Sequence, residues 1–511
     1  MTIPAARRAL DRALLRIDAA FARLADRRLL APLGVVALAA LVMFVDLGGA
    51  EICESNEAVE ALGVREMVEH GRWIMPLLNG QEPMFKPPLF HWFATAISHL
   101  LGASQVSEWT VRAPAAIFAV ATVALCIGFV TLQLGRARGL LAGLILVGAY
   151  PFLDQGRYGR VDMVLAFFEA LSLFSFVWWS QARRGKWLWH HLLALALALA
   201  VLAKGPVGAL LPAGSIVLLL LWEGQPRELR ALAAPGPIAM FLVVASSWYL
   251  ACLLSRDWPA LSRQLGSENF GRFFGTLGRM PLTYYVWPFL LSSIPFSLLA
   301  PYVVVRAMRQ RPRVPRSDDA GAAARWPALL AIFAALTFVF FSIAAYKRRA
   351  YLLPIWPALS ALVPWWIDTI ADAEARRKLA GALAVAAVVL VAINGIYVPY
   401  KERRDCPAGV LQAVAAQVNR VVPAGQPIYV QGVDVDDASP LLFYLDRASP
   451  IVSPRGVASP AIVFAESWAG SPGEWRVLAS SGRGWKRLLV VETPATLQLG
   501  GTVGAIQTKS E

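Results

Sequence analysis

The chain has 511 residues, of which 57% are hydrophobic and only 16% are charged. A soluble protein normally carries about a quarter charged residues, so this composition excludes an ordinary soluble enzyme. The net charge of +14 would suit a nucleic-acid-binding protein. In so apolar a chain, however, an excess of lysine and arginine usually reflects membrane topology and contact with anionic lipid. No nucleic-acid partner is therefore expected.

The apolar residues form runs near the length of about 20 residues that crosses a bilayer core as helix. Nearly uncharged runs occur at 29–45, 113–135, 139–153, 163–182, 187–203, 205–222, 231–255, 280–305, 326–346, 350–367 and 379–400. They predict an α-helical polytopic membrane protein with about 11 transmembrane helices, in a range of roughly 11–13. The first run begins only at Leu29, after a long charged segment, which indicates a retained span rather than a cleaved signal peptide.

Basic residues in short loops mark the cytoplasmic side of a membrane protein. Arginines are frequent before the first span, and their spacing predicts a cytoplasmic, basic amphipathic segment at residues 1–28 that contacts membrane lipids. The run 87–101 has only 15 residues and opens with two prolines. It is predicted to be a juxtamembrane helix rather than a span, because the basic loops at 136–138, 183–186, 227–230, 306–325 and 376–378 then all fall inside, with the N-terminus inside and the C-terminus outside.

The segments predicted outside the bacterial inner membrane are 46–112, 154–162, the turn at Lys204, 256–279, the short turn near 347 and the tail 401–511. The first loop, residues 46–112, interrupts a transmembrane domain of residues 29–400. The tail, residues 401–511, mixes β-like runs with helix-like ones and predicts a small extracytoplasmic (periplasmic) α/β domain. Cys53 falls in the first loop and Cys406 in the tail. A disulfide between them is one alternative in an oxidising compartment, and the pairing is open at this point.

Several predicted external cations lie near membrane boundaries, against the positive-inside tendency. Lys86 is the only lysine or arginine between Arg72 and Arg112, and two prolines follow it. An anionic partner at headgroup level, such as a phosphate, would explain these cations. For Lys204 and Arg256, contact of the side chain with ordinary lipid headgroups is the alternative.

Acidic residues accompany the external cations. Arg157, Arg160 and Asp162 lie within six residues of one another in the second predicted external loop. An acid beside cations near a lipid phosphate suits group transfer from a lipid carrier. The alternative is an Arg–Asp salt bridge that ties loops together. Glu169 lies inside a span, where acids are costly and often functional, and a loop arginine is its expected partner.

The first loop opens with further carboxylates. Glu54 and Glu57 follow the end of the first span closely. The apolar residues after them repeat at helical spacing, which predicts a second amphipathic helix that Gly71 would end.

Four strings together resemble bacterial C-type glycosyltransferases, in the group related to aminoarabinose transferases and protein mannosyltransferases. They are EALGVREMVEHGRWIMPLLNGQEPMFKPPLFHWF, SEWTVRAP, GRYGRVDM and YKRRAYLLPIWPAL. Their order and spacing match that family over most of residues 50–370. The first string is the most specific, whereas single pieces such as YLLP are weak alone.

The resemblance implies an enzyme that uses a polyprenyl-phosphate sugar on the extracytoplasmic face and inverts the sugar's configuration. It implies that Lys86 contacts the carrier phosphate and that Asp162 and a first-loop carboxylate bind substrate or act as base. It also implies that a basic and aromatic turn faces the donor. That turn contributes Tyr346, Lys347, Arg349 and Tyr351, and the cations Arg157 and Arg160 join this predicted donor site.

Two departures from the family pattern affect the expected chemistry. The family often has Asp-Glu at the head of the first external helix, where this chain has Asn56-Glu57. It also often has an acid directly before Lys-Pro-Pro, where this chain has Phe85. The predicted base is therefore Glu57, with Glu54 and Asp162 as contenders. No metal ligand set is predicted, no cofactor is required, and dependence on a divalent metal is left open.

The expected reaction is attack of an acceptor hydroxyl on the sugar's anomeric carbon, with polyprenyl phosphate as leaving group. The acceptor is an envelope lipid such as lipid A, another glycolipid, a glycan or a protein, and lipopolysaccharide modification is one such role. One alternative is a transporter or flippase of a lipid-linked sugar, which would spread ionisable residues through the bilayer midplane. A second alternative is a non-catalytic scaffold, for which the external pattern of cations and acids has little use.

Overall fold

The computed structural model describes most of the chain. The described residues are 3–25, 29–78, 82–84, 86–103, 105–255, 258–275, 278–310, 325–423, 426, 428–431, 435–445, 451–452, 461–464, 476–480 and 488–492. Phe85, Arg256 and most of the tail beyond residue 445 lie outside these ranges.

Helices make up most of the described chain. The α-helices are α1 Ile3–Ala25, α2 Leu30–Phe44, α3 Ser55–His70, α4 Leu89–Leu100, α5 Glu108–Leu134, α6 Arg136–Gly148, α7 Tyr150–Gly156, α8 Val161–Gln181, α9 Lys186–Lys204, α10 Val207–Trp222, α11 Pro226–Leu232, α12 Pro235–Leu254, α13 Trp258–Ser262, α14 Arg272–Phe274, α15 Val286–Leu291, α16 Phe296–Arg309, α17 Arg325–Ile343, α18 Ile355–Asp368, α19 Ala373–Asp405, α20 Val410–Val421 and α21 Val435–Leu445. A π-helical segment spans Arg263–Gly271, and 3₁₀ turns span Leu282–Tyr285 and Arg349–Leu352.

Strands are short. They are β1 Leu77–Leu78, β2 Glu82–Pro83, β3 Tyr429–Gln431, β4 Ile451–Val452, β5 Ala461–Phe464, β6 Arg476–Ser480 and β7 Leu488–Glu492. The first two form an antiparallel pair. The other five form one sheet in the order β4-β3-β5-β7-β6, in which β3 is parallel to both of its neighbours and β7 is antiparallel to both of its own.

Each of the predicted apolar runs coincides with a helix or with a bent pair of helices, which confirms the helical, membrane-spanning class. Within the described ranges, six helices are long and apolar enough to cross a membrane, or up to eight if each of two bent pairs is one span. The shorter apolar helices α2 and α10 have 15 and 16 residues. The count of about eleven spans therefore stays a prediction.

The bend between α6 and α7 follows from the local sequence. Pro151 lacks an amide proton and cannot continue the hydrogen-bond ladder of α6, so the chain turns by 68° at Ala149. The break leaves the Gly148 carbonyl without its helical partner. Asn394 in α19 donates its side-chain amide to that carbonyl at 2.8 Å. A second pair, residues 282–291 and 296–309, is bent by 115° in a proline-containing run.

The chain divides into two compact units. The first comprises residues 1–47, 85–93 and 112–400 and contains most of the apolar helices. Here α8 and α9 form an antiparallel hairpin, because only residues 182–185 separate them. Stacked rings of Phe129 and Phe174, 3.8 Å apart, join α5 to α8, and Trp326 of α17 meets Phe129 edge-on at 5.5 Å. This aromatic contact fixes the hairpin against its neighbours in the unit.

The second unit comprises residues 48–84, 94–111 and 401–511, so most of the first loop groups with the tail. Ten residues of α3 are buried on several sides of the helix. The predicted one-sided amphipathic helix is therefore wrong in its pattern of exposure, because tail helix α21 packs on α3. Gly71 ends α3 in the left-handed conformation with φ of 65°, as the sequence predicted.

A cluster of polar contacts holds the start of the first loop to the tail. The carboxylate of Glu51 is buried and accepts the backbone N–H groups of Leu411 at 2.8 Å and Gln412 at 3.0 Å. It thereby caps the N-terminus of α20, where the helix dipole favours an anion. The Tyr444 hydroxyl accepts the backbone N–H of Ile52 at 2.8 Å and donates to Glu108 at 2.9 Å. Burial raises the pKa of Tyr444, so the phenol stays protonated and remains a donor.

Cys53 and Cys406 form a disulfide within the second unit, with Cα atoms 5.6 Å apart. Cys126 and Cys252 are buried thiols in apolar helices. The bridge joins residues that are 353 positions apart in the chain. It fixes the tail beside the segment that carries the predicted catalytic glutamates.

We expect the double variant Cys53→Ser/Cys406→Ser to lose about 2–5 kcal/mol of folding stability, because the cross-link no longer restricts the unfolded chain. Thermal unfolding of the purified protein in detergent measures this loss. Wild type treated with reductant is the matched control and should unfold at the same temperature as the double variant. Detection of four free thiols in the unreduced protein would contradict the assignment.

Candidate functional site

The polar centre of the first unit is an ion pair between two helix ends. Asp162 lies in the first turn of α8, where the helix dipole favours an anion, and Lys204 is the last residue of α9, where the dipole favours a cation. Because the two helices are antiparallel, these ends meet. The ammonium of Lys204 donates a short hydrogen bond to Oδ1 of Asp162. Both side chains are largely buried, with exposed fractions of 15% and 7%.

Asp162 has a second cationic neighbour. Nε of Arg160 lies 3.6 Å from Oδ2 of Asp162, so each carboxylate oxygen faces a cation. A carboxylate held in this way is a weak base, since both cations favour its ionised form. The positive charge of Lys204 also acts on Glu169, which is 1% exposed and lies two turns further along α8. Neither carboxylate oxygen of Glu169 has a hydrogen-bond partner among the described groups, so the expected pairing with a loop arginine is not observed.

A cavity of about 370 Å³ opens beside this ion pair and lies within the first unit. Three cations line it, namely Lys86, Lys204 and Arg272. Its other walls are mostly apolar and include Phe270, Phe273, Phe274, Phe340 and Phe341. The size lies within the roughly 300–1,000 Å³ typical of small-molecule sites, and a few polar groups in apolar walls are typical of them too. This wall composition suits a ligand with an anionic head and an apolar body.

Two tyrosines organise the cations around the cavity. The Tyr351 ring lies under Lys204, with Nζ 4.4 Å from the ring centroid, and its hydroxyl accepts a hydrogen bond from Arg272 at 3.2 Å. Tyr346 lines the same cavity, and the Arg272 guanidinium lies 5.5 Å from its ring centroid. The backbone sets this arrangement, because the Tyr346 N–H donates to the Arg272 carbonyl at 3.0 Å. The predicted donor residues Tyr346 and Tyr351 are thus brought together with Lys204 and Arg272.

Lys86 reaches the same cavity from the first loop. It directly precedes Pro87 and Pro88, and α4 begins at Leu89. The fixed φ of the two prolines suits a chain that is about to enter a helix. The positive charge of Lys86 acts on Asp162, in addition to Lys204 and Arg160. Lys86 therefore belongs to one cationic cluster with residues that are more than 70 positions away in the sequence.

Other predicted donor residues take different positions. Arg157 is 1% exposed, and its guanidinium donates to the carbonyls of Val42, Met43 and Val45 at the end of α2. It satisfies carbonyls that have no partner within that helix. Arg157 does not line the cavity.

The residues of the basic turn after α17 also differ in whether they line the cavity. Lys347 is 1% exposed and donates to the backbone carbonyls of Met280 and Ala344. Burial lowers the pKa of this ammonium. Arg349 is exposed and lies outside the cavity wall. In this turn, the tyrosines line the cavity, whereas Lys347 fastens the backbone beside it.

The two glutamates predicted as base lie in the second unit and differ in their roles. Glu54 is the N-cap of α3, where its Oε2 accepts the Glu57 N–H at 3.1 Å and its Oε1 accepts the Asn56 amide at 2.8 Å. Those bonds engage both of its oxygens. Glu57 is in the first turn of α3 and is 1% exposed.

Sequence reasoning missed Gln264 and Asn269, which line the cavity, and treated Lys204 chiefly as a lipid-facing cation. Lys204 was recognisable as a single charge at the end of the apolar string LALALAVLAKGP. Arg272 was noted only as one of many predicted external cations. Gln264 and Asn269 lie in a segment with no motif, so their proximity to the cavity comes from the fold alone. No group of three or more His, Cys, Asp or Glu side chains able to hold a metal occurs in the described part of the chain.

Several known proteins are similar to this chain in sequence or in fold. Residues 60–255 match the family of dolichyl-phosphate-mannose-protein mannosyltransferases. A protein of Aquifex aeolicus (strain VF5) is 26% identical over 329 residues, which cover 64% of this chain and 62% of that protein. The undecaprenyl phosphate-alpha-4-amino-4-deoxy-L-arabinose arabinosyl transferase of Pectobacterium carotovorum is 27% identical over 351 residues, 68% of this chain and 60% of that enzyme. The chain therefore spans about three fifths of the length of these relatives.

Among solved structures, ArnT from Cupriavidus metallidurans bound to undecaprenyl phosphate superposes with a TM-score of 0.75 at 20% identity, covering 91% of this chain and 98% of ArnT. The chain is therefore similar in sequence to the mannosyltransferase family and to the arabinosyl transferases, and it shares the fold of ArnT. The resemblance inferred from the four sequence strings is thereby confirmed. A weaker likeness, with a TM-score of 0.54 at 13% identity, extends to the archaeal oligosaccharyltransferase AglB from Archaeoglobus fulgidus, covering 82% of this chain and 64% of AglB.

We expect Asp162→Ala to cost about 3–5 kcal/mol of folding stability, because it leaves the Lys204 charge buried without its anion. The double variant Asp162→Ala/Lys204→Met should recover most of that loss. Chemical denaturation in detergent micelles measures each free energy of unfolding. The partly exposed pair Arg138–Asp368, joined at 2.7 Å, is the control, and Asp368→Ala should cost about 1 kcal/mol or less. A double variant no more stable than Asp162→Ala would show that the pairing does not set the cost.

Proposed function

We propose that the chain is a membrane glycosyltransferase that moves a sugar from a polyprenyl-phosphate carrier to an acceptor hydroxyl. The observation that carries this proposal is the cavity in which Lys86, Lys204 and Arg272 meet phenylalanine-rich walls. Cations at a cavity head suit a phosphate, and apolar walls suit an isoprenoid chain. The solved structures that resemble this fold include ArnT bound to undecaprenyl phosphate and AglB in complex with a dolichol-phosphate.

The proposed reaction is a single displacement at the anomeric carbon of the sugar. The acceptor oxygen attacks the anomeric carbon of the sugar and forms the new C–O bond. The bond from that carbon to the phosphate oxygen breaks, and polyprenyl phosphate leaves with the electron pair. Lys86 and Arg272 would meet the charge that develops on the leaving phosphate, and a well-placed donor is typically worth about 3 kcal/mol in such a step. The family resemblance implies inversion at the anomeric carbon.

A base must take the proton of the acceptor hydroxyl, and Glu57 is our proposal. Asp162 is a poorer candidate because Lys204 and Arg160 hold its two oxygens. Glu54 is a poorer one because it caps α3. The acceptor is a hydroxyl of an envelope lipid such as lipid A, of another glycolipid, of a glycan or of a protein.

The proposed setting is the bacterial inner membrane, with the N-terminus in the cytoplasm and the first loop and tail outside. The disulfide Cys53–Cys406 supports this orientation, because such bonds persist in oxidising compartments. The charged groups of the cavity gather at one end of α8 and α9. A transporter would need ionisable groups along a path across the bilayer, so the transporter alternative is not favoured.

We expect Lys86→Ala and Arg272→Ala each to weaken binding of undecaprenyl phosphate by about 10- to 100-fold, since each removes a charge-assisted hydrogen bond. Tryptophan fluorescence or thermal-shift titration of the purified protein measures this binding. Lys186→Ala is the matched control, because Lys186 lies at the opposite end of α9 from Lys204. Unchanged affinity in both cavity variants would refute the phosphate assignment.

We expect Glu57→Gln to lower kcat by about 10²- to 10⁴-fold, the usual contribution of a general base, while carrier binding stays unchanged. A sugar-transfer assay with a polyprenyl-phosphate sugar and an envelope-lipid extract measures the rate. Glu69→Gln, an exposed carboxylate near the end of the same helix, is the control. If Glu57→Gln keeps full activity and Asp162→Asn loses it without loss of folding, Asp162 is the base.

A further inference from the structure

One polar group in the cavity wall has no role in phosphate binding as described so far. Gln264 lines the cavity and is 1% exposed. Its Oε1 has no hydrogen-bond partner among the described protein groups, and its side-chain amide lies beside the hydroxyl of Tyr249. A buried amide oxygen left without a donor costs about 1–3 kcal/mol. A cavity normally keeps an unpaired amide oxygen in its wall only where a ligand supplies the missing hydrogen bond.

The chain seats this side chain in a specific way. Gly205 follows Lys204 with φ of 90°, and a Cβ at that position would lie 2.5 Å from Nε2 of Gln264. Only glycine allows both that backbone conformation and that close approach. The amide of Gln264 is therefore held directly beside the end of α9, where Lys204 reaches the cavity.

The backbone around Gln264 is also unusual. Residues Arg263–Gly271 form a π-helix, and the side-chain amide of Asn269 donates to the Gln264 carbonyl inside it. π-Helical segments are rare and frequently lie at functional sites. Asn269 lines the same cavity, so the widened turn presents two amide side chains to it.

The chemistry of the free oxygen selects its ligand. An amide oxygen is an acceptor and needs an N–H or O–H donor. A phosphate that is fully ionised has no proton to donate, and an isoprenoid chain has no polar group. Of the three parts of a polyprenyl-phosphate sugar, only the sugar carries hydroxyl or amino donors.

We propose that Gln264, supported by Asn269, binds a hydroxyl or amino group of the donor sugar and so forms the sugar-recognition part of the cavity. This proposal rests on the proposed function. It assigns the cations to the phosphate and the π-helical amides to the sugar. Gln264 then sets which carrier binds productively, since a donor without that group leaves the buried oxygen unpaired.

The test compares two ligands that differ only in the sugar. Binding of undecaprenyl phosphate and of undecaprenyl-phosphate-linked sugar is measured for wild type and Gln264→Met, which keeps the length of the side chain and removes the amide. We expect unchanged affinity for undecaprenyl phosphate and a loss of about 3- to 10-fold for the sugar-linked carrier, the range of one neutral hydrogen bond. Gln264→Asn, which keeps the amide but shortens its reach, should show an intermediate loss. Gln225→Met, before α11 and outside the cavity wall, should change neither affinity.

Each outcome is decisive. Equal loss for both ligands in a variant with unchanged melting temperature would show that Gln264 shapes the phosphate site and would overturn the proposal. Unchanged affinity for both ligands would overturn it as well. Failure of wild type to bind undecaprenyl phosphate at all would instead refute the proposed function. If Gln264→Met does not fold, the comparison of the two ligands for Gln264→Asn decides.

Discussion

The site depends on the requirement that a charge near the membrane must find its counter-charge within the protein. Lys204 ends an otherwise apolar helix, and the short connection between α8 and α9 brings Asp162 to the same level. That pairing lets a lysine remain largely buried while its ammonium still borders a cavity. Lys86 and Arg272 line the same cavity and bring two further positive charges to its wall. An anionic ligand is the natural complement to a cavity wall with several cations.

The tail contacts the start of the first loop, which carries the predicted base Glu57. No sequence motif in the tail predicts these contacts. Glu51, Cys53 and Ser55 each contact the tail, through the start of α20, the disulfide and Asp437. Arg65 adds hydrogen bonds to the carbonyls of Leu442 and Phe443. Glu57, the proposed base, is thus carried on a helix that the tail contacts on both sides of that residue. We infer that the tail positions this helix, which explains why most of the first loop and the tail form one compact unit.

The helical class could be predicted because the length of each apolar run can be read directly from the sequence. Each of these runs is a helix or a bent pair of helices in the structure. The bend at Ala149 was not predicted, although Pro151 is its visible cause. Lys86 could be singled out because isolation and prolines are local signals. Arg157 was assigned to phosphate because its charge is visible in sequence, whereas the carbonyls that it satisfies at the end of α2 appear only in the fold. Gln264 was missed for the opposite reason, since an amide in a polar string has no distinguishing pattern until a cavity surrounds it.

The position of the carrier phosphate tests the central claim most directly. A structure of the protein with bound undecaprenyl phosphate, determined in a lipid nanodisc, would locate it. The account predicts phosphate oxygens in hydrogen-bond contact with Lys86 and Arg272, beside Tyr346, and the isoprenoid along the phenylalanine wall. A phosphate bound away from this cavity, with Lys86 and Arg272 making no contact to it, would contradict the account.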